Sequence, residues 1–332
     1  MNSRTFRLSL AHAGVDLACA ALYFGFLFTS ESWWSVLLFY NAFAFAAQMP
    51  MGLLADTWNH NLLFAAIGCV LVMMAYPFAS IPLAAATLAG IGNGAFHVGA
   101  GLQVLNDSRE KAGPLGVFVS PGAIGLFVGT AFAHFWRTYV WIVVLLLIGC
   151  ILLIMFSKTS KSFLVTDNAP FAVELPSGAI LPLVALFLVV CLRSFLGMTD
   201  AFSAASIPKW IAVLCVAGGK ATGGLLGDRI GISRTSVLSL GVCTVLLLIP
   251  HDFARLLAVF LFNMTMPITL WGAARHLKNA KGFSFGLLTF ALFLGFLPKL
   301  LRIRVPNSVL LYAGTAAVSL VLLIFGLKGT KA

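Results

Sequence analysis

Two polar pairs interrupt apolar stretches of the sequence, and each pair has the spacing of a shared helix face. His12 and Asp16 are four positions apart, as are Asn93 and His97. Side chains at positions i and i+4 are neighbours on a helix. A carboxylate beside an imidazole can take up a proton when desolvated and release it when paired or hydrated. The pairs are therefore candidates for proton coupling or substrate contact, and the alternative is that they only hold helices together.

Three further polar side chains lie in apolar stretches of the second half of the chain. Neither Arg193 nor Lys220 has an acidic residue within one turn of its own predicted helix. Because a cation in hydrocarbon is costly unless it faces water or a partner, each predicts a nearby anion. That anion is either a carboxylate, such as Asp16 from the other half or, for Arg193, Asp200, or a charged group on a substrate. Asn263 is a candidate cavity residue, and Pro267 after it predicts a bend in the same helix.

The composition restricts the class of protein that can hold these residues. The 332 residues are 61% hydrophobic and 9% charged, with a mean hydropathy of +1.02. Such a chain cannot form a water-soluble domain, and its long apolar stretches lack the short alternation of a membrane β-barrel. The net charge of +11 is explained by membrane topology and anionic headgroups, so no nucleic-acid partner is expected. The six cysteines lack metal-ligand spacing, and no metal or cofactor is predicted.

The apolar stretches predict an all-α polytopic membrane protein with twelve spans in two pseudo-symmetric halves of six helices. The polar segment 157–177 divides the chain into an N-terminal bundle, 1–156, and a C-terminal bundle, 178–332. The spans are expected at roughly 8–30, 34–55, 61–79, 81–105, 113–135, 138–156, 178–198, 205–226, 234–250, 255–274, 282–298 and 306–327.

The distribution of Lys and Arg predicts the orientation of these spans. If both termini are cytoplasmic, most of the basic residues at helix ends lie on the cytoplasmic side, and only the cluster at 299–304 runs strongly against this rule. We therefore expect a multi-pass, monomeric protein of the cytoplasmic (inner) membrane, with a cytoplasmic linker between its halves.

A short pattern occurs once in each half. "MGLLADTWNHN" at 51–61 contains Gly52 and Asp56, and "GGLLGDRIGISR" at 223–234 contains a matching glycine and aspartate followed by arginines. Each copy follows the second span of its half. Glycine allows close helix approach, and the aspartate can meet a helix N-terminus or an arginine. The pattern predicts a conformational latch formed by Gly52, Asp56, Gly224, Asp228, Arg229 and Arg234.

The two copies resemble the Gly-x-Leu-Ala-Asp-Arg-x-Gly-Arg-Arg loop of the major facilitator superfamily, which lies between helices 2 and 3 and again between helices 8 and 9. The first copy has Thr57-Trp58-Asn59-His60-Asn61 where that family has basic residues, so Asp56 is expected to depend on hydrogen bonds. The resemblance implies a solute transporter in which two halves rock about a midplane cavity.

Two other stretches are similar to particular branches of that superfamily. "GIGNGAFHVGAG" at 90–101 resembles the Gly-rich helix of fosmidomycin-resistance-like proteins, and "SPGAIGLFVG" at 120–129 is similar to the Gly-Pro-Gly segment of antiporters. Both resemblances imply efflux, although the sequence does not choose between uptake and efflux.

The sequence thus predicts a secondary active transporter of a small organic anion, zwitterion or amphipathic drug, coupled to protons or another ion. It spells out neither a nucleophile–base–acid set nor a phosphate-binding loop, so no enzyme is expected. A non-transporting scaffold or receptor, and an intramembrane enzyme using His12, Asp16 and His97, are the alternatives.

Overall fold

A computed structural model of the chain describes residues 3–157 and 176–330, and these residues fold into helices joined by short connections. The first six membrane helices are α1 (Ser3–Leu27), α2 (Trp33–Trp58), α3 (Asn61–Phe78), α4 (Pro82–Asp107), α5 (Gly113–Ala131) and α6 (Val140–Met155). The second six are α7 (Ile180–Gly197), α8 (Lys209–Ile230), α9 (Ile232–Leu247), α10 (Asp252–His276), α11 (Lys281–Leu300) and α12 (Val309–Gly326).

These helices match the predicted spans one for one. Within the described ranges, nine are long and apolar enough to cross a membrane, and α6 and α9 are shorter apolar helices. The remaining helix, α4, has 26 residues, and its glycines and polar side chains lower its hydropathy. The predicted all-α fold with twelve membrane helices is therefore confirmed. Most of the predicted linker, 157–177, lies outside the described residues, so its role stays a prediction.

The ends of α2 and α8 differ from prediction in a way that matters for the repeated pattern. The two helices continue to residues 58 and 230 rather than to 55 and 226. They end before Asn59, with a φ of 54°, and Gly231, with a φ of 100°, because a left-handed residue terminates a helix. Asp56 and Asp228 consequently lie inside the last helical turn rather than in the loop that follows.

Two helices are irregular near their middles. A π-helical segment at 42–46 interrupts α2, and α10 breaks at Met264, between segments ending at 263 and beginning at 265. Pro267 has no N–H to donate to the carbonyl of Asn263, four residues earlier, so the break lies where the predicted bend was expected.

The two halves, α1–α6 and α7–α12, meet mainly along two crossings, α5 with α8 and α2 with α11. Glycines allow both crossings. A Cβ added to Gly116 on α5 would lie 2.5 Å from the carbonyl oxygen of Lys220 on α8. One added to Gly282 on α11 would lie 2.6 Å from that of Gly52 on α2. The halves therefore touch through their backbones, as small residues permit between membrane helices.

Candidate functional site

Folding brings His12, Asp16 and His97 together on facing surfaces of α1 and α4, and we call these three residues the triad. The Nε2 atoms of the two imidazoles are 2.9 Å apart. The Asp16 carboxylate lies 3.2 Å from Nε2 of His12 and 3.6 Å from Nε2 of His97. The pairing of His12 with Asp16 follows from their i, i+4 spacing, whereas His97 joins them only because α4 packs against α1.

A hydrogen bond from Nδ1 of each histidine fixes the orientation of its ring and so of its Nε2 atom. Nδ1 of His12 donates to the carbonyl of Phe118 at 2.8 Å, and Nδ1 of His97 donates to the carbonyl of Asn93 at 2.9 Å. Since a carbonyl only accepts, each Nδ1 carries a hydrogen, and each neutral ring presents a lone pair at Nε2. Two lone pairs and a carboxylate therefore point toward one another. Because they repel one another, a cation between them would stabilise the arrangement.

The triad is enclosed but not sealed. The ring centroids of Phe96 and Phe118 lie 6.1 Å and 4.9 Å from that of His12, and the Asp16 side chain retains 19% exposure. Gly122 on α5 provides the space, because a Cβ there would lie 2.5 Å from Oδ2 of Asp16 and in contact with Nε2 of His12. Larger side chains at position 122 are therefore incompatible with this arrangement.

Asn93 supports the triad without entering it. Its backbone carbonyl orients His97, and its Nδ2 donates to the Tyr40 hydroxyl on α2 at 3.1 Å. Asn93 is buried. The structure thus gives this residue a positioning contact between α4 and α2, and Tyr40 is a polar neighbour that the sequence did not single out.

The second half contributes two cations with few partners. Arg193 on α7 is 9% exposed, and Nη1 donates to the Thr269 hydroxyl on α10 at 3.2 Å. Neither Arg193 nor Lys220 forms an ion pair with an acidic side chain of the described residues. Asp200, considered from the sequence as a partner for Arg193, is not bonded to it. Asn263 donates to the carbonyl of Val259 at 2.8 Å on its own helix, so one of its two amide hydrogens is already used.

The charges of the two halves act on each other. Lys220 interacts electrostatically with Asp16 from the first half, and also with Arg193 from its own half. The Asp16 carboxylate therefore faces Lys220 of the second half, and Lys220 in turn lies within the field of Arg193. Burial strengthens these interactions, because charge–charge energies rise as the effective dielectric constant falls.

The repeated aspartates bind the N-termini of helices in the opposite half. Asp228 accepts from the backbone N–H groups of Ala112 and Gly113, at 2.8 and 2.9 Å, where α5 begins. Asp56 accepts from the N–H groups of Gly282 and Phe283, both at 2.8 Å, where α11 begins. Carboxylates are favoured at this position because the first N–H groups of a helix lack partners within it. We call this end of the bundle the latch end.

The arginines of the second copy take no part in these contacts. Arg229 and Arg234 are exposed, and within the described residues neither forms an ion pair with Asp228 or with the first half. Gly52 and Gly224, in contrast, permit the close approach, since a Cβ at either would contact backbone of the opposite half. The predicted place of Arg229 and Arg234 in the latch therefore has no support in these contacts, whereas the glycines and aspartates lie in it.

The latch end has further contacts between the halves. Arg275 on α10 forms an ion pair with Glu110 after α4, and Nε1 of Trp271 donates to the Glu110 carbonyl at 2.5 Å. Lys281 donates to Oδ1 of Asn106 at 3.5 Å. Sequence reasoning missed these residues because they belong to loops and helix ends with no repeated pattern.

The equivalence of the two aspartates leads to a prediction. Asp56→Asn and Asp228→Asn should each shift the conformational equilibrium away from closure of the latch end by a similar amount, about 1 kcal/mol or roughly five-fold, because each amide loses one acceptor oxygen. Labelling of a thiol introduced at Asn106 measures this opening. Asp252→Asn is the matched control, since Asp252 accepts the Ser206 N–H at 2.8 Å within the second half alone. A selective effect of Asp228→Asn would contradict the equivalence.

Comparison with solved structures identifies the fold. FucP, a major facilitator superfamily transporter in the outward conformation, has a TM-score of 0.67 at 15% identity over 98% of this chain and 99% of its own. A variant of the E. coli fucose:proton symporter FucP has a TM-score of 0.65 at 14% identity, with the same coverage. The human organic anion transporter MFSD10 (TETRAN) has a TM-score of 0.67 at 16% identity, over 98% of this chain and 97% of its own.

No family model and no curated protein sequence matches the chain. The resemblance to the fosmidomycin-resistance-like branch stays a prediction. The agreement over nearly the full length of all three structures confirms the wider resemblance that the two aspartate patterns indicated: this multi-pass membrane protein has the fold of the major facilitator superfamily transporters.

Proposed function

We propose that the protein is a secondary active transporter that moves a small solute across the cytoplasmic membrane by alternating access and couples this movement to protons. The observation that carries the proposal is the triad, in which two imidazole lone pairs and a carboxylate lie within 3.6 Å of one another and the carboxylate faces Lys220 of the other half. The fold supplies two halves that can rock against each other. Both termini are proposed to be cytoplasmic and the protein to be a monomer.

The triad is suited to hold one proton. A proton on either Nε2 converts the repulsion between two lone pairs into an N–H···N hydrogen bond, and the adjacent carboxylate compensates its charge. A second proton would restore repulsion between the rings. Loading and unloading a single proton therefore changes the net charge of the triad between zero and −1.

This change of charge acts on the cations of the second half. When the triad is deprotonated, Asp16 attracts Lys220 across the space between the halves and competes with an incoming anion. When the triad is protonated, that competition is reduced, and Lys220 and Arg193 are free to bind an anionic group. Proton and anion thus favour each other's binding, and such reciprocal linkage couples their transport.

The chemistry of the second half supports a substrate with a carboxylate or another anionic group, either an organic anion or a zwitterion. Arg193 is buried with one hydroxyl partner, and a buried guanidinium is costly without an anion. An amphipathic drug would also require an anionic group to meet these cations. Because proton and anion favour each other's binding, the proposed coupling moves both in the same direction, whereas the efflux implied by the sequence stretches at 90–101 and 120–129 would require exchange of a proton for the solute.

The first test concerns proton coupling. Asp16→Asn should abolish gradient-driven accumulation in proteoliposomes while solute exchange at equal concentrations continues, because the amide keeps the shape but cannot carry the compensating charge. A solute for this assay is first found by thermal-shift screening of the purified protein against metabolites and drugs. Asp200→Asn, which changes an exposed aspartate, serves as the control.

Three results would overturn the proposal. Proton-driven accumulation by Asp16→Asn at the wild-type level would show that the triad does not couple transport. If no solute crosses the bilayer with the wild-type protein, a non-transporting receptor or scaffold is favoured, and chemical conversion of a bound solute would favour an enzyme.

A further inference from the structure

The two Nε2 atoms and the Asp16 carboxylate of the triad have separations close to those of one face of a metal coordination tetrahedron. Zinc lies about 2.0–2.2 Å from imidazole nitrogen and carboxylate oxygen, which places tetrahedral ligand atoms about 3.3 Å apart. The two Nε2 atoms are 2.9 Å apart, Oδ2 of Asp16 lies 3.2 Å from Nε2 of His12, and Oδ1 of Asp16 lies 3.6 Å from Nε2 of His97. We propose that His12, Asp16 and His97 form a binding site for a divalent first-row transition-metal ion such as Zn²⁺ or Fe²⁺.

The hydrogen bonds behind the imidazoles support this assignment. In protein metal sites, a ligating histidine usually donates its other ring N–H to a carbonyl or carboxylate, which fixes the ring and the tautomer. His12 and His97 both donate in this way, to the carbonyls of Phe118 and Asn93. Their Nε2 lone pairs are thus oriented before any ion arrives, and no tautomer has to change on binding.

The types of ligand select the class of ion. Two imidazoles and one carboxylate suit Zn²⁺ and Fe²⁺, whereas Mg²⁺ and Ca²⁺ prefer oxygen ligands and Cu⁺ prefers thiolate or thioether. Three protein ligands leave the remaining coordination positions open for water or an anionic solute, as in metal sites that exchange ligands. The sequence predicts no metal here and groups these three residues only in the alternative of an intramembrane enzyme, because His97 lies 81 positions after Asp16.

Two neighbours should tune the affinity in opposite directions. Gly122 leaves the space in front of Asp16, and a Cβ there would lie 2.5 Å from Oδ2 of Asp16. Lys220 interacts electrostatically with Asp16 and opposes the approach of a cation. A metal ion would have to separate the two Nε2 atoms by a few tenths of an ångström, which small rotations of the rings can supply.

The inference rests on the proposed function in one respect, since the ion must reach the triad through the space between the halves. Metal binding and proton-driven transport are nevertheless separate measurements. The metal ion competes with the proton for the same lone pairs. A bound ion would therefore either cross the membrane with the solute or inhibit proton-driven transport.

The test uses the purified full chain, treated with a chelator, and Co²⁺ as a spectroscopic probe. Wild-type protein should bind a single Co²⁺ per chain with the intense visible bands of a four-coordinate ion, and Zn²⁺ should displace it. His97→Gln and Asp16→Asn should each weaken binding by at least about 100-fold, because loss of a ligand exceeds the effect of losing a supporting contact. His276→Gln is the matched control, since buried His276 bonds to the Gly326 carbonyl away from the triad.

Two further variants separate coordination from loss of folding. Gly122→Ala keeps all three ligands but fills the space beside them, and it should weaken Co²⁺ binding. Lys220→Gln removes the opposing charge and should strengthen it. Thermal melts of each variant verify that the protein is folded. A folded His97→Gln variant that binds Co²⁺ like wild type, or a wild-type spectrum without four-coordinate bands, would overturn the metal site.

The outcomes distinguish this inference from the proposed function. Proton-driven accumulation by metal-free protein that binds no Co²⁺ would refute the metal site and leave the transporter standing. Co²⁺ binding at the triad in a protein that moves no solute would establish the metal site and refute the transporter.

Discussion

Lys220→Ala should weaken the binding of anionic solutes by about 2 kcal/mol, or roughly 30-fold, while the binding of neutral solutes changes little. The expected loss is that of a partly buried charge removed from a charge pair. Lys220→Arg should retain part of the affinity, because the charge remains while its geometry changes. Titrations with matched anionic and neutral solutes measure the difference. Lys209→Ala, at the exposed end of the same helix, is the control.

The same experiment tests whether Lys220 instead serves as an internal partner of Asp16. In that case Lys220→Ala would leave the Asp16 carboxylate uncompensated and lower the melting temperature, and combining it with Asp16→Asn would restore stability. Unchanged anion affinity together with such a rescue would contradict the anion site and establish an ion pair between the halves.

Gly52→Leu should reduce transport to background by preventing closure of the latch end. A Cβ at this position would already contact the carbonyl of Gly282, and a leucine side chain would force α2 and α11 apart. Because the contact is between backbones, no rotamer change can relieve it. Increased thiol labelling at the latch end and loss of solute exchange should occur together.

A glycine elsewhere in the membrane helices provides the control for this substitution. A Cβ added to Gly241 on α9 would meet no atom within 4 Å, so Gly241→Leu changes size and hydrophobicity without blocking a crossing. Normal transport by Gly52→Leu, or an equal loss in Gly241→Leu, would contradict the assignment of α2 and α11 as a crossing that must close.

The fold was accessible from sequence because the signals are local. Each span is a continuous apolar stretch, and membrane thickness fixes the length required of it. The pairing of His12 with Asp16 is also local, since both lie on one face of α1. The duplicated aspartates could be recognised from their spacing in the chain, although the sequence left open whether they meet arginines or helix ends.

The candidate site could be predicted only in part because its remaining contacts depend on how helices pack. His97 reaches the triad from α4, and the carbonyl that orients His12 comes from Phe118 on α5. Thr269 on α10 bonds Arg193 instead of the acidic residue considered from the sequence. The residues in each of these contacts have no fixed spacing in the sequence. Residue type and helix periodicity therefore could not predict that they meet.

Each of the two latch contacts joins a side chain of one half to the main chain of the other. One partner in each contact is an aspartate side chain, which a single substitution removes. The other partner is a pair of peptide N–H groups, and one residue of each pair is a glycine, Gly113 or Gly282, where an added Cβ would lie 2.7 or 2.8 Å from an oxygen of the bound aspartate. Substitution can therefore remove the acceptor directly or displace it through a side chain at the glycine, whereas the donor hydrogens themselves are lost only to proline. The basic residues absent after Asp56 are expendable for this contact, which explains how a pattern so diverged in its first copy still ends in the same pair of hydrogen bonds.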